Sequence, residues 1–461
     1  MEGNVFANIS PLDHRYSLRK ENFADYGTYF SEKAVVEFQA RVEVALIKAL
    51  HSRGVCDKQV VEEVQQAAEN IEVEEVYEEE KKTKHNIRAL VNCLQKRVSP
   101  SSRPYIHLSA TSYDIVDTAN ALRYKEGTFN LILPRMRSLL QEWLDIAEQQ
   151  KETLQIGRTH GQHAEPLTFG LVMAFYCSRL KERMDFIKKA ARNLRGKMSG
   201  AVGAYNASSI FFEDPGEFER EFLQQLGLKP GPVSTQIVAP EYMTDFMHGL
   251  TSAFGVLADF SDDMRHLQRT EIREVGEYFE SDQVGSSTMP HKRNPINYEN
   301  VKSMYKEFTP RMVTSYLDQL SEHQRDLSNS ASGRFIPETV VGLLLCVDRL
   351  QRVSSRMHID AEQMKKNFDQ TRELVIAEPL YIFLASQGHP DAHEKVRKLT
   401  LEAEKKDVSL KEIVQKDEEL TPYLEKLTDR QKKMMYNPEL YTGKAATKTE
   451  KIIAEIRKSL S

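Results

Sequence analysis

Residues 173–194 read MAFYCSRLKERMDFIKKAARNL. The apolar or small positions Met173, Cys177, Leu180, Met184, Ile187, Ala191 and Leu194 recur at spacings of four and three, which is a heptad seam on one face of a helix. A second seam runs through Met243, Met247, Leu250, Phe254 and Leu257 and resumes at Met264 and Leu267. A third helix is expected over Leu131–Ile146, with Met136, Leu139, Leu140 and Trp143. At 1.5 Å per residue such helices reach on the order of 35 to 45 Å, and seams that long must be buried against other long helices. Strand patterns are scarce and never alternate with helices as a parallel sheet requires. The fold class expected is therefore all-α: three helical domains, with a central bundle of long antiparallel helices over 112–345, an N-terminal helical domain over 1–111 and a C-terminal one over 346–461.

Outside the seams, the acidic run EVEEVYEEE at 72–80 reads as a solvated helix face. HIDAEQMKKNFD, SLKEIVQKDEEL and TPYLEKLTDRQKKMM read as shorter amphipathic helices, separated by turns such as QGHPD. The 461 residues carry a formal net charge of −5, so no bulk field draws the chain to nucleic acid or a membrane surface, and anion binding must be local. Four widely spaced cysteines form no CxxC pair or zinc-ligand spacing. The first thirty residues lack the apolar core of a secretory signal, and nothing approaches the roughly 18 consecutive apolar residues of a membrane span. A soluble, cytoplasmic protein is the expectation, with no nucleic-acid or membrane partner.

Four polar stretches interrupt the helices: SATSYD at 109–114, GRTHGQHAEP at 157–166, GSSTMPHKRNP at 285–295 and QRDLSNSASGR at 324–334. Each reads as a loop or helix end, and the third, with the polar run GEYFESDQVG before it, as a long mobile loop. Composition alone equally allows an ordinary interhelical connection whose bases face water. Taken together, however, their hydroxyls, His, Lys and Arg are what a multiply anionic small molecule requires of its site.

GSSTMPHKRNP resembles the SSxMPxKxN signature of the fumarase/aspartase superfamily, matched at Ser286, Ser287, Met289, Pro290, Lys292 and Asn294. Six specified residues make coincidence roughly 10⁻⁸ per start position. Gly161 in RTHGQ and the HKRNP ending of the signature resemble the adenylosuccinate lyase family in particular. SPLDHRY, KHNIRA, GAVGAYNA, STQIVAPEY and QRDLSNSASGR resemble the same family in the same order, so the likeness extends from residue 10 to about 380.

The resemblance implies β-elimination of fumarate from adenylosuccinate, giving AMP, and from the succinyl-aminoimidazole-carboxamide ribotide of purine biosynthesis. No metal or organic cofactor is implied. The alternative is another lyase of the superfamily, acting for example on argininosuccinate; the phosphate-type Arg325 and Arg334 argue against it. By the family motif Ser286 is the base, on a flap that excludes water when it closes, and His160 is the acid, oriented by Glu299. Lys292 and Asn294 stabilise developing charge. Thr111, Ser112, Thr159, Gln236 and Ser287 match positions that bind the succinyl carboxylates. Arg15, Tyr16, Arg325, Ser330 and Arg334 match positions that grip phosphate and ribose, and Arg88 can add charge there. His85 with Asn86 is a second histidine site, catalytic or substrate-binding; the family has Asp where Asn86 stands, so the partner charge is missing, and His14 stands where Gly is common. Because these residues are spread along the chain, a homotetramer with shared active sites is the expected assembly.

Overall fold

The computed structural model describes residues 7–19, 23–279, 288–289 and 291–460. Among them helices dominate, and two small antiparallel sheets of two strands each accompany them. The all-α expectation holds. No helix among the described residues is long and apolar enough to cross a membrane.

The three seams form the three long helices they predict: Phe169–Asn193, Glu241–Leu267 and a run that begins earlier than expected, Ser112–Gly127 followed by Leu133–Gln149. Between the last two lies a π-helical turn, Thr128–Ile132, so the backbone stays helical across residues 112–149. Further helices include Glu32–Ser52, Ile296–Phe308 and Ile336–Ser354. The acidic run lies in the helix Val73–Thr83 and its N-cap Glu72, where Glu79 pairs with Lys96 at the end of the next helix, Asn86–Lys96, and Glu75 with its C-cap Arg97.

The chain divides into two compact units. One comprises Met1–Ser138, Glu182–Leu257 and Ser303–Arg349; the other comprises Leu139–Lys181, Ala258–Lys302 and Leu350–Ser461. In the first, Tyr124 stacks between Phe30 and Phe246 with ring centroids 6.1 and 5.9 Å away. Gly342 lets the helix Ile336–Ser354 approach Phe308 so closely that a Cβ there would run into the ring. In the second, Trp143 packs 4.3 Å from Phe260, which also meets Tyr176 and Tyr298 edge-on. The Trp143 Nε1–H donates to Ser354 Oγ at 3.0 Å, so the buried indole leaves no polar group unpaired.

The C-terminal amphipathic segments fold as expected into short helices, among them Ala361–Asp369, Leu410–Lys416 and Asp429–Tyr436. Leu380, Leu384, Val396, Leu399, Leu410 and Leu420 form a core shared by the helices after Ile376, while Phe368 of Ala361–Asp369 packs with Ile156 and Val375. QGHPD is the turn between the helices Ala377–Ser386 and Ala392–Lys406, with Gly388 at φ 85°.

Two expectations are corrected. GRTHGQHAEP is not a loop but most of a β-hairpin, Leu154–Thr159 paired with Gln162–Thr168. Its burial does not alternate cleanly, since Gln155 and Ile156 are buried in succession, so a period of two was invisible. The run 276–285 is also not loop from its start. Val275–Gly276 pairs with His358–Ile359, and Glu277 caps a helix, as shown below. Gly285, Ser286, Ser287 and Pro290 of the signature lie outside the described residues.

Candidate active site

In the first unit the candidate residues gather around the start of the helix Ser112–Gly127. Thr111 is its N-cap, and the Thr111 N–H donates to Asp114 Oδ2 at 2.8 Å, one half of a capping box. Asp114 is fully buried. Its other oxygen accepts from Lys197 Nζ and from the backbone N–H of Ser199 and Gly200, at 3.1 and 3.2 Å. A buried ion pair is tolerable when its remaining lone pairs are satisfied in this way, and it fixes the helix start against residues 197–200.

Ser112 Oγ lies 3.3 Å from His85 Nε2, and His85 Nδ1 lies 3.2 Å from the Arg88 backbone N–H. A backbone N–H can only donate, so Nδ1 accepts. The ring proton of the neutral tautomer is then on Nε2 and is donated to Ser112. In this arrangement His85 is an N-cap and a hydrogen-bond donor, which gives the histidine beside Asn86 a role that needs no aspartate. Asn86, Arg88 and His85 itself are exposed.

One residue further along the helix, the Tyr113 hydroxyl accepts from Arg325 Nη2 at 2.7 Å, with the guanidinium 4.5 Å from the ring centroid. Arg325 Nη1 donates to Asn329 Oδ1 at 2.8 Å. One turn on, Asp117 Oδ2 accepts from the Val238 N–H at 2.9 Å, and the Gln236 N–H donates to the Gln324 carbonyl at 3.2 Å. Burial pushes the Asp117 carboxyl up to about 6, against the Val238 N–H and the positive charges of Lys197 and Arg325. Thus Thr111, Ser112, His85 and Arg325 are brought together at one helix N-terminus, with the Gln236 backbone joined to Gln324 beside Arg325, and the helix dipole there favours an anion. Ser330 is half-buried on the Arg325 segment, and Arg334 is exposed in the short turn Ser332–Phe335. Arg15 is exposed and Tyr16 half-buried, between the turns Pro11–Asp13 and Ser17–Arg19.

In the second unit Thr159 and His160 occupy the tip of the hairpin. Thr159 pairs with Gln162, leaving a two-residue turn in which His160 has φ 53° and Gly161 φ 77°. Positive φ at both central residues is what a type I′ turn requires, which accounts for glycine at 161. The hairpin is anchored by Glu274, a fully buried carboxylate. Glu274 accepts from Arg158 Nη2 and Nη1 at 2.6 and 3.2 Å, from Gln155 Nε2 at 2.7 Å and from Asn367 Nδ2 at 2.8 Å. His163 Nδ1 lies 2.9 Å from Thr371 Oγ1 on the return strand.

Three residues after Glu274, the Glu277 carboxylate accepts from the backbone N–H of Asn297 and Tyr298 at 2.9 Å each and from Asn297 Nδ2 at 2.7 Å. It thereby caps the helix Ile296–Phe308, whose first turn carries Glu299. Glu277 and residues 297–298 are thus held together at the two ends of the signature segment. Lys292 is exposed and its N–H donates to the Met289 carbonyl at 3.0 Å; Asn294 is half-buried. His160 and Glu299 are both exposed, and neither makes a side-chain hydrogen bond among the described residues, so the expected acid–carboxylate pair is not formed there within one chain.

Four residues that organise the site were not singled out from the sequence: Tyr113, Asp117, Glu274 and Glu277. Tyr113 lay inside a stretch read for its hydroxyls. Glu277 lay in the polar run 276–285 read as loop, and Glu274 just before it, in a stretch given no reading.

A family model described as lyase matches residues 17–307, and one described as adenylosuccinate lyase C-terminal matches 321–436. The adenylosuccinate lyase of Pyrococcus horikoshii is 35% identical over 455 residues, covering 96% of this chain and 97% of that protein. That of Bacillus subtilis is 32% identical over 400 residues, covering 85% and 91%. Among solved structures, the 3-carboxy-cis,cis-muconate lactonizing enzyme of Pseudomonas putida has the same fold, with a TM-score of 0.81 over 95% of this chain and 98% of that one at 23% identity.

Proposed function

The chain belongs to the adenylosuccinate lyase family, and on that premise we propose that it eliminates fumarate from adenylosuccinate and from the succinyl-aminoimidazole-carboxamide ribotide of purine biosynthesis. Ser286 removes a proton from the succinyl methylene carbon. The carbon–nitrogen bond breaks, its electron pair leaves with the nitrogen, and His160 protonates that nitrogen; Ser286 then gives up the proton it took and His160 regains one through solvent, so the enzyme returns to its starting state with no net proton consumed. Lys292 and Asn294 hold the charge that builds on the carboxylate beside the deprotonated carbon. Thr111, Ser112, Thr159, Gln236 and Ser287 bind the two carboxylates through neutral donors. Arg15, Tyr16, Arg325, Ser330 and Arg334 receive the phosphate and ribose, since a planar guanidinium meets phosphate oxygens two at a time.

The observation that most supports this reading is the convergence of Ser112, His85 and Arg325 on the start of one long helix. Donors and the Arg325 guanidinium are concentrated there, and Arg325 donates to the neutral partners Tyr113 and Asn329. The test is direct: purified protein given adenylosuccinate releases AMP and fumarate. Fumarate from argininosuccinate, with no AMP from adenylosuccinate, would overturn the assignment.

The assembly belongs to the same reading: a homotetramer whose active sites are shared, in the cytoplasm. Its support is that His160 and Glu299 are exposed without side-chain hydrogen bonds among the described residues, and that Val313, Leu317, Leu320 and Leu327, close in sequence, are all exposed. Mixing inactive His160→Ala and Ser286→Ala chains, dissociated and reassembled together, should restore part of the activity. A pair that stays inactive in every mixture would exclude shared sites.

A further inference from the structure

An arginine that must meet a phosphate binds it better if its fork is already aimed, because a free arginine side chain loses rotamer entropy when it is fixed. Arg325 has no regular secondary structure to aim it; it lies in a segment without helix or strand between Leu317 and Ser332. Its restraint comes instead from Tyr113, which sits in the first turn of the helix Ser112–Gly127 and is therefore held by a rigid element.

The contact is double. The phenol oxygen takes a hydrogen from Nη2 at 2.7 Å while the ring face lies 4.5 Å below the guanidinium carbon. From the other side Asn329 Oδ1 takes a hydrogen from Nη1 at 2.8 Å, and Asn329 is itself oriented because its Nδ2 donates to the Asp318 carbonyl at 2.9 Å. Arg325 Nε is buried and has no acceptor among the described residues. Each outer nitrogen keeps a second N–H, and the Tyr113 hydroxyl, acting as acceptor, keeps its own proton to donate. The clamp therefore fixes the guanidinium plane and leaves several donors unspent.

We propose that Tyr113 is a positioning residue that sets the affinity of the site for the phosphate-bearing end of the nucleotide, by holding Arg325 between its ring and its hydroxyl. The proposal rests on the assignment of Arg325 to the phosphate given above. A serine or cysteine at 113 cannot reach Arg325 with both contacts, and phenylalanine keeps the ring but loses the acceptor, so Tyr113→Phe isolates the hydrogen bond.

In the intact enzyme, Tyr113→Phe should raise both the KM for adenylosuccinate and the inhibition constant of AMP roughly tenfold, as expected for one lost hydrogen bond to a charged group. The fall in kcat should be less than twofold, and inhibition by fumarate, which carries no phosphate, should not change. In an Arg325→Met background the same change should have no further effect on AMP binding, because nothing is left to position. A lowered kcat with unchanged AMP affinity, or an undiminished tenfold effect in the Arg325→Met background, overturns the proposal. If the wild type cleaves adenylosuccinate but Arg325→Met binds AMP as tightly as wild type, the phosphate assignment and this proposal fall together while the lyase reading stands. If the wild type has no lyase activity, that reading fails, and calorimetric titration of the variants with AMP still decides the role of Tyr113.

Discussion

Replacing Glu274 with glutamine changes one atom in a fully buried group that receives four hydrogen bonds. One carboxylate oxygen serves Arg158 Nη2 and Asn367 Nδ2; the other serves Arg158 Nη1 and Gln155 Nε2. Whichever way the new amide turns, its NH₂ faces two donors, so two accepted bonds are lost and the Arg158 charge loses its counter-ion. Breaking a buried pair from one side costs about 3–5 kcal/mol. Because the Arg158 side chain keeps 17% of its exposure, water can relieve part of this, and the lower end of that range is expected. Trp143 is the sole tryptophan and is buried in the same unit as Glu274, so its fluorescence during urea unfolding reports the loss. Turnover should fall as well, because Arg158 and Gln155 lie on the strand that leads to His160. A loss below about 1 kcal/mol would mean that shape rather than charge holds the hairpin, and the reasoning would be wrong.

Further outcomes follow from the same geometry. Ser286→Ala and His160→Ala should each lower kcat by about 10² or more, the usual cost of a lost proton-transfer group, and activity within about tenfold of wild type in either variant would assign that step elsewhere. Gly161→Ala meets no neighbouring atom, so its cost is purely that of a positive φ, about 1–2 kcal/mol, whereas Gly161→Asn should be milder; equal effects in melting experiments would contradict the type I′ turn. Asp117 titrates at about 6 when folded against 3.8 as its ordinary value, so the folded chain binds its proton more tightly and the carboxylate detracts from stability above pH 6. Between pH 7 and pH 4 wild type should therefore gain on Asp117→Asn by at most about 3 kcal/mol in denaturant titrations, and a relative loss on acidification would refute the shift.

The long helices were legible because burial along a straight cylinder repeats every three to four residues, so Met173 to Leu194 declares its partner face locally. The signature, too, was legible, since GSSTMPHKRNP is contiguous. What escaped depends on contacts between distant residues or on backbone without a period. Glu274 meets Gln155, Arg158 and Asn367 across about a hundred residues in either direction, and no local pattern records that. The π-helical turn at Thr128–Ile132 left the apolar spacing on either side intact and so gave no sign of itself. Tyr113 could have been noticed: an aromatic beside two hydroxyl residues, with an isolated arginine elsewhere among polar residues, is a pairing that chemistry permits, though sequence alone cannot choose the partner.

The hairpin tip is a component of fixed length. With two residues spanning the reversal there is no slack: adding one would make a three-residue connection with a bulge and swing the imidazole to another bearing, and removing one would leave too little chain to turn. Substitutions along the two strands are correctable by repacking, but insertions at 160–161 are not. Lineages or engineered variants of this chain should accordingly differ in nearly every connecting segment before they differ in the count of residues between Thr159 and Gln162.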